Sequence, residues 1–120
     1  MNAKPDNQIL TNFLAEYTTA MVSAGTYTAR VEKCVDCIAN HYGYDVSVTI
    51  FVKYFTISVM DSQDNSLRRT YVRKIPLGQV SFNRISELSS LSWQILDEGL
   101  SLDEAKESFE GVMSVSANKF

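Results

Sequence analysis

Much that would assign a function is scarce in this chain. Its 120 residues include two cysteines, one histidine and two prolines. A structural zinc site takes four ligands, and Cys34, Cys37 and His41 do not supply them. The cysteines lie one turn apart within a predicted helix, whereas a redox Cys-x-x-Cys pair opens a helix after a strand. They read as small, half-buried thiols of a reducing compartment. Neither a glycine-rich phosphate loop nor a Gly-x-Ser-x-Gly nucleophile elbow occurs. A net charge of −3 and a pI near 5.0 lack the basic excess of a nucleic-acid binder. No apolar run approaches the ~18 residues that a bilayer span needs. The N-terminus is polar through Gln8, without the basic-then-apolar order of a signal peptide. What remains, at 45% hydrophobic residues, is the expectation of one soluble domain over residues 1–120.

What is present is periodicity. Ile9, Leu10, Phe13, Leu14, Tyr17, Met21 and Val22 recur at intervals of three and four, predicting a helix over 7–23 after a frayed lead-in at 1–6. Val31, Cys34, Val35, Ile38 and Tyr42 predict a second helix over 27–42. Gly25 marks the break between them and Gly43 the end of the second, as suits residues just past a helix C-terminus. Thr26 or Thr28 offers a side-chain oxygen to cap the second helix.

The period then changes to two. Val46, Val48, Ile50 and Val52 alternate with Ser47, Thr49, Phe51 and Lys53, predicting a strand with one buried face. Phe55, Ile57 and Val59 continue the alternation over 54–60, but the parity slips at Lys53-Tyr54, which requires a tight turn or a bulge. The turn formers Asp61 to Ser66 lead to a third strand over 67–75, closed by Pro76 and Gly78. Ser81 caps a third helix over 82–98, with the stripe Phe82, Ile85, Leu88, Leu91, Ile95 and Leu96 and with Trp93 turned away from it. Gly99 ends that helix. Ser101 and Glu104 form a capping box for a fourth over 102–115, with a tail from Ser116 that has no periodicity. Two helices, an antiparallel meander of two or three strands and two further helices make an α+β, two-layer domain.

Three constellations carry chemistry. Alternation puts Arg69, Tyr71 and Arg73 on one face of the third strand, where guanidinium forks suit a carboxylate or phosphate; a solvated edge strand guarded by cations is the competing reading. Arg30 and Glu32 beside Gly25 point to different sides of their helix, either toward a ligand or as surface charges. His41 stands at a helix end, where the dipole favours its cation and a structural role outweighs catalysis. Trp93 with Tyr27, Tyr17 and Phe13 reads either as core or as a patch for another chain.

Gly25-Thr26-Tyr27-Thr28-Ala29-Arg30-Val31-Glu32 resembles the Gly-Ala-Glu-Thr-x-Arg-Val-Glu signature of the N-terminal domain of the threonine/serine exporter family. His41 to Val46 resembles that family's entry to the first strand, and Arg69 to Ile75 its charged strand. Ile85 to Ser89 and Gly99 to Ala105 resemble its closing helices, so the resemblance spans about residues 9–115. The family often has Ala at the position of Thr26 and Glu at that of Tyr27. Only Gly25, as structural motif, and Thr28, Arg30 and Glu32 therefore carry over.

The resemblance implies a cytoplasmic domain at the inner membrane, attached to a bundle of transmembrane helices that exports threonine, serine or dicarboxylates. It implies no cofactor, and a partner in the transmembrane part of the same protein or in a small membrane subunit; the charge already argues against nucleic acid. The expected role is substrate binding, gating or assembly, with Thr28, Arg30, Glu32, Arg69 and Arg73 as the candidate residues and no catalytic ones. A hydrolase-like enzyme acting before export, with His41 in play, is the alternative; a homo-oligomer formed through Trp93 is a third reading.

Overall fold

The computed structural model describes residues 4–64 and 67–117, with the side chains of 116 and 117 outside the description. Its elements run α1 (Asn7–Ser23), α2 (Thr28–His41), β1 (Tyr44–Ile50), β2 (Tyr54–Asp61), β3 (Arg68–Lys74), α3 (Phe82–Glu98) and α4 (Leu102–Ala117). The expected α+β order is observed. Of the sequence expectations, the lead-in at 1–3, the turn positions Asn65 and Ser66, and the tail at 118–120 lie outside the described residues.

The strands form one antiparallel sheet in the order β1-β2-β3. Register pairs Val46 with Val59, Val48 with Ile57 and Ile50 with Phe55, then Ile57 with Tyr71 and Phe55 with Arg73. These side chains share the face that meets the helices, because alternate residues of a strand point the same way. The other face is bare, and there the Ser58 and Thr70 hydroxyls share a 3.0 Å hydrogen bond.

The helical layer is itself double. α1 and α2 lie against the sheet, and α3 and α4 back onto α1 and α2. α1 therefore sits in the middle and is buried on most sides, with Leu10, Phe13, Leu14, Ala15, Tyr17, Ala20 and Met21 all in the core. Its buried hydroxyls are satisfied within the helix: Thr18 donates to the Leu14 carbonyl and Thr11 to the Asn7 side chain, each at 2.7 Å. Phe13 and Tyr17 join Phe109 of α4, with Phe13 and Phe109 edge to face at 5.7 Å. Tyr17 and Phe13 are thus core residues, whereas Tyr27 is exposed and Trp93 half-exposed, with the Lys33 ammonium over its ring at 5.6 Å.

The punctuation follows the sequence closely. Gly25, Gly43 and Gly99 all take positive φ. Ser81 accepts the Arg84 N–H at 3.2 Å, and Ser101 and Glu104 exchange the two bonds of a capping box at 3.2 and 2.9 Å.

Several expectations are resolved or corrected. Of the two readings of the slip at Lys53-Tyr54, the tight turn is the one observed, closed by the Phe51 N–H on the Tyr54 carbonyl at 2.8 Å. Val52 is consequently 94% exposed at its apex, outside the buried face to which its parity assigned it. Neither Thr26 nor Thr28 caps α2; Tyr27 occupies the cap position with no side-chain bond. Phe82 and Leu96 are exposed, and Ser92 takes a buried place on the α3 stripe. The lead-in from Lys4 is tied down: Lys4 pairs with Asp61 at 2.8 Å, the Pro5 carbonyl accepts the Tyr44 hydroxyl, and Asp6 caps α1. α4 runs on to Ala117, beyond the expected end at 115.

Candidate functional site

The corner at Gly25 is where α1 stops. The Thr26 N–H reaches back to the Met21 carbonyl and the Gly25 N–H to that of Val22, the paired bonds of a Schellman cap. The cap requires the left-handed conformation that Gly25 takes at φ 95°. The segment after β3 is laid against this corner. The Ser81 N–H donates to the Ala24 carbonyl at 3.0 Å, Val80 packs on the open side of Gly25, and Gly78 rests on Ser23. The chain from Pro76 to Gln79 is thereby held against the end of α1 as the wall of a cleft.

That cleft has a volume of about 440 Å³. One side is a stripe of α1, Glu16, Thr19, Ala20 and Ser23, spaced by three and four so that all face one way. Arg73 enters from the end of β3 and Arg84 from the first turn of α3, while Phe109 and Met113 of α4 supply an apolar floor. The Arg73 guanidinium lies over the Tyr71 ring at 4.5 Å and donates to the Val72 carbonyl at 3.5 Å, which together restrain a long side chain. Thr19 spends its proton on the Ala15 carbonyl at 2.8 Å, so its oxygen remains an acceptor.

Two polar atoms of this lining, Ser23 Oγ and Arg84 Nε, are buried with no hydrogen-bond partner. A buried unpaired donor costs about 1–3 kcal/mol. Each such atom calls for a partner from outside the chain, an ordered water or a ligand. Two guanidiniums, one carboxylate and small hydroxyls around an apolar floor suit a small solute bearing a carboxylate.

The residues singled out from the sequence are distributed over the surface. Arg73 lines the cleft. Arg69, four residues back on the same face of β3, lies instead in a separate depression of about 290 Å³ with Asp6, Asn7, Tyr44, Asp61 and Arg68. Thr28 opens α2 and is exposed; Arg30 is exposed over the Tyr27 ring at 5.7 Å. Glu32 is half-buried, and its charge, after burial, helps to hold the Asp36 carboxyl above the usual range. Thr28, Arg30 and Glu32 are not among the residues lining the cleft. Gly25 shapes the cleft indirectly, through Val80. His41 ends α2 with its ring edge-on to Tyr42 at 4.8 Å.

The sequence reading missed Glu16, Ser23 and Arg84. Their one legible signal is the spacing of Glu16, Thr19 and Ser23, a polar stripe on a helix otherwise buried nearly all round. Among the described residues no group of three or more His, Cys, Asp or Glu is placed to hold a metal ion. No helix among them is long and apolar enough to cross a membrane.

Comparison with curated proteins and with solved structures gives no match. The family model described as "Putative threonine/serine exporter" matches residues 12–119, nearly the whole chain, from within α1 through α4. By that match the chain belongs to the threonine/serine exporter family.

Proposed function

We propose that this chain is the cytoplasmic, solute-reading domain of an exporter of small amino acids, with the membrane-crossing helices in the rest of the protein or in a small membrane subunit. The observation that carries the proposal is the cleft in which Arg73 and Arg84 converge beside two buried, unpartnered polar atoms. In this reading the guanidiniums take the solute carboxylate and Glu16 takes its ammonium. A dicarboxylate such as succinate sets its second carboxylate against Glu16, so threonine and serine are preferred to it. Export chemistry then belongs to the membrane part, and no catalytic group is needed here.

Calorimetric titration of the purified chain with threonine, serine and succinate tests this. Binding of the hydroxy amino acids, weakened tenfold or more in Arg73→Ala, is expected, since a hydrogen bond to a charged group contributes about 1.5–3 kcal/mol. A folded protein that binds none of the three sinks the proposal. Arg30 and Glu32, at the corner outside the cleft, fit a docking or gating role toward the membrane part. Arg30→Ala is expected to leave folding intact and abolish export in cells; unchanged export removes that role.

A further inference from the structure

The β1–β2 turn displays apolar groups at the end of the sheet. Phe51 and Tyr54 stack across the turn with ring centroids 4.7 Å apart and planes inclined by 21°. Val52, at the apex, has almost its whole side chain exposed. Because Ile50 and Phe55 point inward, Phe51 and Tyr54 project on the bare side of the sheet. Lys74 is the register partner of Tyr54, and Val72 extends the exposed apolar surface along the same side. This tip is not a loose loop. It is closed by the Phe51–Tyr54 backbone bond and tied to the third strand by the Ile75 N–H on the Lys53 carbonyl at 2.9 Å.

The tip end of the same sheet carries charge of one sign. Segments 46–60 and 70–78 contain Lys53, Arg73 and Lys74 and no acidic residue, in a chain whose net charge is −3. The opposite end of the strands carries the carboxylates Asp45 and Asp61 together with Arg68 and Arg69, so charge there is balanced. A rigid tip with an aliphatic apex, an aromatic pair and flanking lysines is suited to the boundary between lipid headgroups and acyl chains, where aromatic rings reside and lysines meet phosphates. A second copy is a poorer occupant, because symmetric pairing of two tips sets the Lys53 and Lys74 ammoniums near their equivalents.

We propose that the β1–β2 tip seats on an anionic phospholipid surface, with Phe51, Val52 and Tyr54 in the headgroup region and Lys53 and Lys74 on lipid phosphates. The inference is independent of the cleft and stands whether or not the cleft takes a solute.

The test is co-sedimentation of the chain with vesicles of phosphatidylglycerol and phosphatidylcholine, and with vesicles of phosphatidylcholine alone. Expected are binding to the anionic vesicles only, weakening as salt is raised, and a drop of about fivefold or more in Val52→Asp and in Lys53→Glu/Lys74→Glu. Leu96→Asp, on the exposed side of α3, is expected to bind as the parent does. All these side chains are exposed, so circular dichroism is expected to be unchanged. Absence of sedimentation with anionic vesicles overturns the proposal, as a tip built for a protein surface would give that result. Binding that is equal on both vesicle types, or retained in Val52→Asp, overturns it as well.

Discussion

Gly78 lies so close to Ser23 that a methyl group on its α-carbon would stand 2.7 Å from the Ser23 carbonyl oxygen. Backbone is the obstacle, so relief requires the whole 76–79 wall to shift. Gly78→Ala is therefore expected to cost about 1–3 kcal/mol in chemical denaturation and to weaken solute binding as the wall moves. Gly25→Ala combines a left-handed conformation, about 1–2 kcal/mol, with a 3.0 Å approach to Val80. It is expected to be the more destabilising of the two by urea midpoint.

Arg84 separates stability from recognition. Its buried Nε lacks a partner, so Arg84→Met removes an unsatisfied donor while keeping the apolar stem. The expected outcome is a fold as stable as the parent, or more stable by about 1 kcal/mol, with solute binding reduced in the same preparation. A loss of stability together with intact binding would assign Arg84 to the scaffold.

Alkaline stability depends on two phenols. Tyr17 donates to the Leu88 carbonyl at 2.6 Å and Tyr42 to that of Leu100 at 2.8 Å. Burial raises the pKa of both phenols, that of Tyr42 from 10.0 to about 12 and that of Tyr17 in the same direction. A raised folded value means that the unfolded chain ionises first. The contribution is complete below the ordinary phenol value and is lost as pH rises through the folded one. Circular dichroism against pH is expected to show unfolding above about pH 10, with a shallower alkaline slope in Tyr17→Phe.

The acid side has its own marker. Asp61 accepts from the Lys4 ammonium and the Gln63 N–H, both at 2.8 Å, and these bonds hold its carboxyl below 3.8. A depressed carboxyl contributes stability that is complete above its unfolded value and is lost as pH falls through the folded one. Asp61→Asn is thus expected to flatten the pH dependence of the urea midpoint below about pH 4. Lys4→Met is expected to flatten it partly, because the Gln63 bond survives.

The four helices and their stops were legible because each rests on local chemistry. Gly25, Gly43, Gly99, Ser81 and the Ser101–Glu104 box act within a few residues of themselves, and α1 declares its core face by spacing alone. Val52 was misplaced because alternation runs on through a turn that no Gly, Asn or Pro announces. Its neighbours Ile50 and Phe55 decide the register instead. Phe82 was misplaced because a helix stripe does not reveal where its partner helices end. Arg73 was legible as a recognition candidate since it repeats Arg69 on one strand face, yet the two lie in separate depressions. Arg84 was invisible: an arginine beside an apolar stripe reads as solvated, and its burial is imposed by a cleft wall packed on a distant helix corner.

The cleft is lined by residues from Glu16 to Met113, drawn from α1, β3, α3 and α4. No single element of the chain contains it, so it disappears entirely when the chain unfolds. Any solute that fills it acts as a clamp across the chain from first helix to last. By mass action a ligand at a hundred times its dissociation constant adds about 2.7 kcal/mol to folding. The melting temperature of the domain is thereby a gauge of the solute concentration around it.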